Sequence, residues 1–142
     1  MDIAAVSLGV PIEFHREAGP RILQAHWTPK LTIHDSGIRA STAVCVQKVM
    51  ALHDQDPEGA RALDLRMQQA VNLIRQALEG PLSPESIESF RSGIEAGHEV
   101  FRAWGLVPEP AEKLREDLKS RGALAVRLTG AGDGGFLLAF WD

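Results

Sequence analysis

The stretch RLTGAGDGGFLLAF, Arg127 to Phe140, places four glycines within the six residues Gly130 to Gly135, between two apolar runs. Glycine reaches positive φ without steric cost, so this density specifies a tightly turning loop whose backbone N–H groups are able to converge on one point. The apolar runs on either side read as strands. Gly130, Gly132 and Gly135 also fit the spacing GxGxxG. A dinucleotide loop, however, must open a helix, with an acidic residue about 20 positions further on. Here FLLAFW follows, a short apolar and aromatic run of strand character. A Walker loop closes on Gly-Lys-Ser or Gly-Lys-Thr, whereas this one closes on Gly-Gly-Phe. A protein-kinase glycine loop requires a lysine strand and a catalytic loop after it, and the sequence holds neither. What remains is strand, glycine loop, strand: either an anion-binding nest or a hairpin that needs glycine only for its turn.

The rest of the chain falls into two further zones. Residues 1–35 are strand-rich: VPIEFHR, RILQAHW and LTIHD are separated by Gly-Pro and Pro-Lys turns and predict strands at about 10–15, 21–27 and 31–35. Residues 36–121 are helical. Ser41 or Thr42 can cap a first helix that puts Val46, Val49, Met50 and His53 on one face. Pro57 suits the first turn of a second helix, striped by Leu63, Met67, Val71, Ile74 and Leu78 and ended by Gly80-Pro81. A third helix starts near Ser83 and runs to about Trp104, with Ile87, Phe90, Ile94, Phe101 and Trp104 along one side. Gly93 and Gly97 lie within it, and interior glycines cost about 1 kcal/mol against alanine, so another backbone or a ligand is expected close by, with close packing the simpler reason. Ala111, Leu114 and Leu118 mark a fourth helix with Gly122 as its stop. Residues 122–142 return to strand, glycine loop and strand. The order predicts a single α+β domain, 1–142, with about four helices packed on a mostly antiparallel sheet.

Fifteen basic against nineteen acidic residues give a net charge of −4, without a basic block. Nucleic acid is therefore an unfavourable partner. No run approaches the ~18 apolar residues of a membrane span, and no secretion signal opens the sequence, so a cytoplasmic protein is expected. The single cysteine, Cys45, lies in the apolar run AVCVQKVM and reads as a core residue. The five histidines have no metal-ligand spacing, and no metal site is expected from the sequence chemistry.

Four segments, in order along nearly the whole chain, together resemble the GHMP small-molecule kinases, and within them the central and C-terminal part of the mevalonate kinase branch. GALAVRLTGAGDGGFLLAF is similar to the family's third motif, Lys-Leu-Thr-Gly-Ala-Gly followed by further glycines. LTIHDSGIRASTAVCVQKV is similar to a strand, turn and helix opened by a Ser-Thr pair. GHEVFRAWGLVPEPAEKL is similar to the helix, turn and helix that lead into the third motif. MDIAAVSLGVPIEF resembles the stretch bearing the catalytic aspartate of the form Asp-x-Ala.

The resemblance implies ATP-dependent phosphorylation of a small-molecule hydroxyl, mevalonate-like, with ATP and Mg2+ as its cofactors. It makes Asp2 the catalytic aspartate that orients or deprotonates the hydroxyl. It puts Thr129, Gly130, Ala131, Gly132, Asp133, Gly134 and Gly135 at the phosphate loop and nucleotide site, and Thr42 and His98 near substrate. The family's catalytic lysine and its Pro-x-x-x-Gly-Leu-Gly-Ser-Ser-Ala phosphate loop belong to an upstream half that these residues do not include. Inactivity alone, completion by an N-terminal kinase half, and self-association through surfaces that such a half would cover are the corresponding expectations. The alternative is a non-catalytic module, truncated or stand-alone, that binds a small ligand or a protein partner. Asp133 stands where the family usually has glycine. A carboxylate about 5 Å from a phosphate charge is opposed by roughly 3 kcal/mol at an effective dielectric near 20. Asp133 is thus expected to be either an acquired metal ligand or a mark of lost nucleotide binding, the latter agreeing better with the absent upstream motifs.

Overall fold

The computed structural model describes residues 9–15 and 17–142. Two short strands open it, β1 (Ile12–His15) and β2 (Gly19–Ile22), paired antiparallel from Ile12 opposite Ile22 to His15 opposite Gly19. The expected strand over 21–27 stops at Ile22: Leu23 N–H still donates to Pro11 O in ladder register (2.9 Å), but Pro11 has no N–H to return the bond, and the chain then crosses to the end of the second helix, where His26 N–H donates to Leu78 O (2.9 Å). Trp27 is anchored there through Nε1–H to Ala77 O at 2.7 Å. Its ring meets Phe90 edge-on, and Phe90 in turn meets Phe140.

Among the described residues the main sheet has three strands, β3 (Lys30–Asp35), β4 (Ala125–Leu128) and β5 (Phe136–Trp141), in the order β3-β5-β4 with both pairings antiparallel. The fold is therefore α+β, with the small hairpin β1–β2 as a second sheet that the sequence did not separate from the first. Successive strand residues face opposite ways. In β4 and β5, accordingly, Val126, Leu128, Leu137 and Ala139 enter one core cluster, while Ala125 and Phe140 enter another.

Four helices supply the other halves of those clusters: α1 (Thr42–Gln55), α2 (Pro57–Glu79), α3 (Pro84–Ala103) and α4 (Glu109–Ser120). Their starts follow local chemistry. Asp56 accepts from Gly59 N–H ahead of α2, and Ser83 and Ser86 exchange side-chain and backbone hydrogen bonds in a capping box ahead of α3. Gly122, at φ 101°, stops the chain after α4 as expected. Ala111 and Leu118 of α4, Phe101 of α3 and Cys45 of α1 complete the first cluster; Ala77 and Leu78 of α2 with Phe90 and Ile94 of α3 complete the second.

Two helix faces differ from the sequence reading. The α2 seam against α3 runs through Ala60, Ala70 and Ala77, which are buried, while Val71 is exposed. Small residues let the two helices approach, and Gly93 permits it from the other side. A Cβ on Gly93 would lie 2.6 Å from Ile74 Cγ1 and 2.8 Å from the Ala70 carbonyl oxygen. On α1 only Cys45 is buried, and Val46 and Met50 stand largely in solvent.

Charged side chains tie α3, α4 and β4 together. Glu95 on α3 accepts from Arg115 and Lys119 of α4 and from Val126 N–H of β4, while Arg115 Nε–H donates to Val126 O at 3.0 Å. Among the described residues no helix is long and apolar enough to cross a membrane.

Candidate functional site

The glycine loop joins β4 to β5 and is left-handed almost throughout. Gly130, Gly132, Asp133, Gly134 and Gly135 have φ of 66°, 93°, 60°, 137° and 81°. Only glycine occupies such angles freely, so the sequence density seen at the outset is a requirement of this backbone. The loop is pinned at several points. Thr129 N–H and its hydroxyl both donate to Phe136 O (2.8 and 3.0 Å), closing the neck. Gly135 N–H donates to Ile38 O (2.8 Å), Asp133 N–H to Leu106 O (2.6 Å), and the Cys45 thiol to Gly132 O (3.5 Å).

These bonds consume the N–H groups of Thr129, Asp133 and Gly135. The N–H groups of Gly130, Ala131, Gly132 and Gly134 meet no protein acceptor among the described residues. All four residues line one cavity of about 320 Å³, together with Thr129, Gly135, Phe136, Arg39, Ala40 and Thr42. Thr42 is the first residue of α1, so the N-terminal end of that helix, without an acidic residue in its first turn, also faces this space. Unpaired backbone donors and the positive end of a helix dipole favour a negatively charged occupant. Arg39 adds a cation at the rim. It is held bidentately by Asp35 (3.0 and 2.9 Å), and that guanidinium, with Gly37 N–H, holds the Asp35 carboxyl below the usual carboxylate range.

The structure thus brings Thr42 to Thr129, Gly130, Ala131, Gly132, Gly134 and Gly135, residues that lie 87 or more positions away in the chain. It leaves two expected site residues out of this cavity. Asp133 belongs to the loop, but its carboxylate turns toward α1 and pairs with Lys48 Nζ at 2.7 Å. Lys48 is the counter-charge that the repulsion argument lacked, since helical spacing from Thr42 gave no hint that it would reach the loop. Among the described residues no three His, Cys, Asp or Glu side chains stand close enough to hold a metal. His98 is buried on α3, with Nε2 3.2 Å from Glu112 Oε2 of α4. Desolvation first, and the nearby Arg115 charge second, push its pKa below the ordinary value. Asp2 lies outside the described residues. Cys45, read as a core residue, is buried, and burial pushes its thiol pKa up, which suits packing and not nucleophilic attack. Arg39 was missed by the sequence reading; its position three residues before the helix-opening Thr42 was the available signal.

Residues 73–142, just under half of the chain, match the family model "GHMP kinases C terminal". Among solved structures the chain resembles the mevalonate kinase of L. major, crystallised in complex with R-mevalonate, with a TM-score of 0.82 and 24% identity. That match covers 91% of this chain and 39% of the L. major chain. A Lin0012 protein from Listeria innocua matches with a TM-score of 0.74 and 18% identity over 87% of this chain and 35% of its own. The chain therefore spans well under half the length of either solved relative. No curated protein matches the sequence.

Proposed function

We propose that this chain forms the loop-bearing wall of a GHMP-type kinase site, which transfers a phosphoryl group from ATP to the hydroxyl of a mevalonate-like small molecule. The observation that carries the reading is that the four loop residues whose N–H groups have no protein acceptor among the described residues all line one cavity beside the α1 N-terminus. Phosphoryl transfer is mainly positioning and neutralisation of charge on the transferring group, and backbone donors fixed by glycine geometry do both without reorganising. Thr42 and Arg39 face the same space and suit a hydroxyl and an anionic group of the substrate. The magnesium implied by the family finds no ligand set among the described residues: Asp133 is held by Lys48 and Asp35 by Arg39, so no step is assigned to a metal on this wall. The catalytic lysine and phosphate loop of the family lie outside these 142 residues, and this wall alone is inactive.

The experiment is titration of the chain with pyrophosphate, Mg-ATP and R-mevalonate, followed by backbone NMR, with activity assayed with and without a co-expressed N-terminal half of a mevalonate kinase. Pyrophosphate should shift Gly130, Ala131, Gly132 and Gly134, and turnover should require the added half. Turnover by the chain alone, or pyrophosphate that leaves the loop unmoved, would overturn the reading. Asp133 in place of the usual glycine favours a second reading, a non-catalytic module that binds a small anion; it predicts the same shifts and no turnover under either condition.

A further inference from the structure

Four arginines are partly buried among the described residues: Arg75, Arg91, Arg115 and Arg127. The first three have carboxylate partners, in Glu79 and Glu13, Glu88, and Glu95 and Glu112 respectively. Arg127 has none. Its Nε–H donates to Leu128 O (3.1 Å), its guanidinium carbon sits 4.7 Å from the centre of the Phe101 ring, and one terminal nitrogen fills the space beside Gly97 where a side chain would otherwise stand. The two terminal nitrogens meet no protein acceptor among the described residues, and desolvation alone pulls the guanidinium pKa down. A ring face and one carbonyl offset part of the cost of holding a cation out of water, but leave most of its five donors unused.

Beside Arg127 lies a cavity of about 270 Å³ whose other walls are Ile74, Phe90, Ile94, Leu128, Leu138 and Thr129. The Thr129 hydroxyl is already committed to Phe136 O. The site therefore offers one fixed positive charge with a planar donor fork at the border of an apolar slot. A dianionic phosphate would demand a second cation or further donors, and none lines this cavity. A neutral apolar molecule would leave the guanidinium uncompensated. A carboxylate matches a single guanidinium in charge and in bidentate geometry.

We propose that Arg127 and this cavity bind a monoanionic amphiphile, a carboxylate on a short apolar tail, with the head on the guanidinium and the tail along Ile74, Phe90, Ile94 and Leu138. Thr129 lines both this cavity and the one enclosed by the glycine loop. An occupant therefore touches the first residue of the loop without entering the cavity that the loop glycines line. The site stands whether or not the chain takes part in phosphoryl transfer.

The test is NMR titration of the whole chain with octanoate, octan-1-ol, acetate and inorganic phosphate in parallel. Octanoate should give saturable shifts at Arg127, Thr129, Ile94 and Leu138. Octanol, which lacks the charge, and acetate, which lacks the tail, should each bind about tenfold more weakly or less, as expected for loss of a charge-assisted pair or of the apolar contact. Arg127→Gln should remove the preference for octanoate over octanol, and Arg127→Lys should retain part of it. Equal affinity for octanoate and octanol in the unaltered protein overturns the proposal without reliance on a variant. So do absence of binding, tighter phosphate than octanoate at Arg127, and shifts confined to Val46 and Met50 on the open face of α1.

Discussion

His98 combines burial with a titratable ring. Its environment contains Glu112, Arg115, Glu99 and Glu95, and the first two causes of its shift, desolvation and the Arg115 charge, both disfavour the imidazolium. The folded pKa is thus lower than the unfolded one, and the unfolded chain binds the extra proton first. Stability contributed by this group is fully present above the unfolded value near 6.5 and is lost as pH falls through the folded value, with a slope of at most about 1.4 kcal/mol per pH unit for one proton. Thermal unfolding followed between pH 7.5 and 5 should show a falling midpoint that is flatter in His98→Leu. An equal slope in both proteins would place the pH sensitivity elsewhere. Asp133 shows the opposite balance at the same scale. A non-glycine residue at φ 60° stores about 1–3 kcal/mol of strain, while a solvent-reached ion pair returns about 0–1 kcal/mol. Its pairing with Lys48 therefore offsets only part of what the position costs.

Among the elements, the α2–α3 pair depends most on a single small residue. Gly93→Ala gains about 1 kcal/mol in helix propensity, but puts a Cβ 2.6 Å from Ile74 and 2.8 Å from the Ala70 carbonyl oxygen. The side chain can yield and the backbone cannot. With overpacking at about 1–3 kcal/mol, the net expectation is destabilisation of up to about 2 kcal/mol, measurable by urea unfolding. A companion Ile74→Ala should relieve only the part due to Ile74. A gain in stability from Gly93→Ala alone would mean that the helices are not in this contact. The two glycines were legible as close approaches because each breaks an otherwise good helical sequence. Which partner approaches was not legible: Gly93 faces a helix and Gly97 faces Arg127, both far away in the chain. In the α2 stripe Met67, Ile74 and Leu78 pack into the core as expected and Val71 is exposed, with the neighbouring Ala70 buried instead, because alanine carries little hydrophobic signal although it permits the closest packing. The glycine loop was the most readable element, since positive φ restricts residue choice directly, and Thr42 came with it through its matched segment. Lys48 and Arg127 were not readable, because the value of a charge depends on partners brought together only by the fold.

For the molecule as a whole, what matters is which apolar surface the fold leaves uncovered. In the order β3-β5-β4, β3 pairs among the described residues on one side only, with β5. Leu31 and Ile33 share one face of it by strand alternation and are exposed, Ile33 at 65%. Val46 and Met50 on α1, and Phe136 at the start of β5, add exposed apolar area. An edge strand with large apolar side chains is a template for further pairing, and the charged or titratable residues of β3 are only Lys30, His34 and Asp35, with Asp35 paired to Arg39. Concentration-dependent self-association is the expected behaviour of the chain in solution. Sedimentation velocity from about 10 to several hundred micromolar should show a rising average mass, and Ile33→Lys should lower it by placing a charge on the open face of the edge strand. The same substitution should leave pyrophosphate shifts at Gly130 to Gly134 unchanged, because Ile33 does not line the loop cavity. A chain that stays monomeric throughout would show that the β3 edge and its apolar face are protected despite their exposure. Association that survives Ile33→Lys would move the contact to the α1 surface, where Met50→Lys provides the next discriminating substitution.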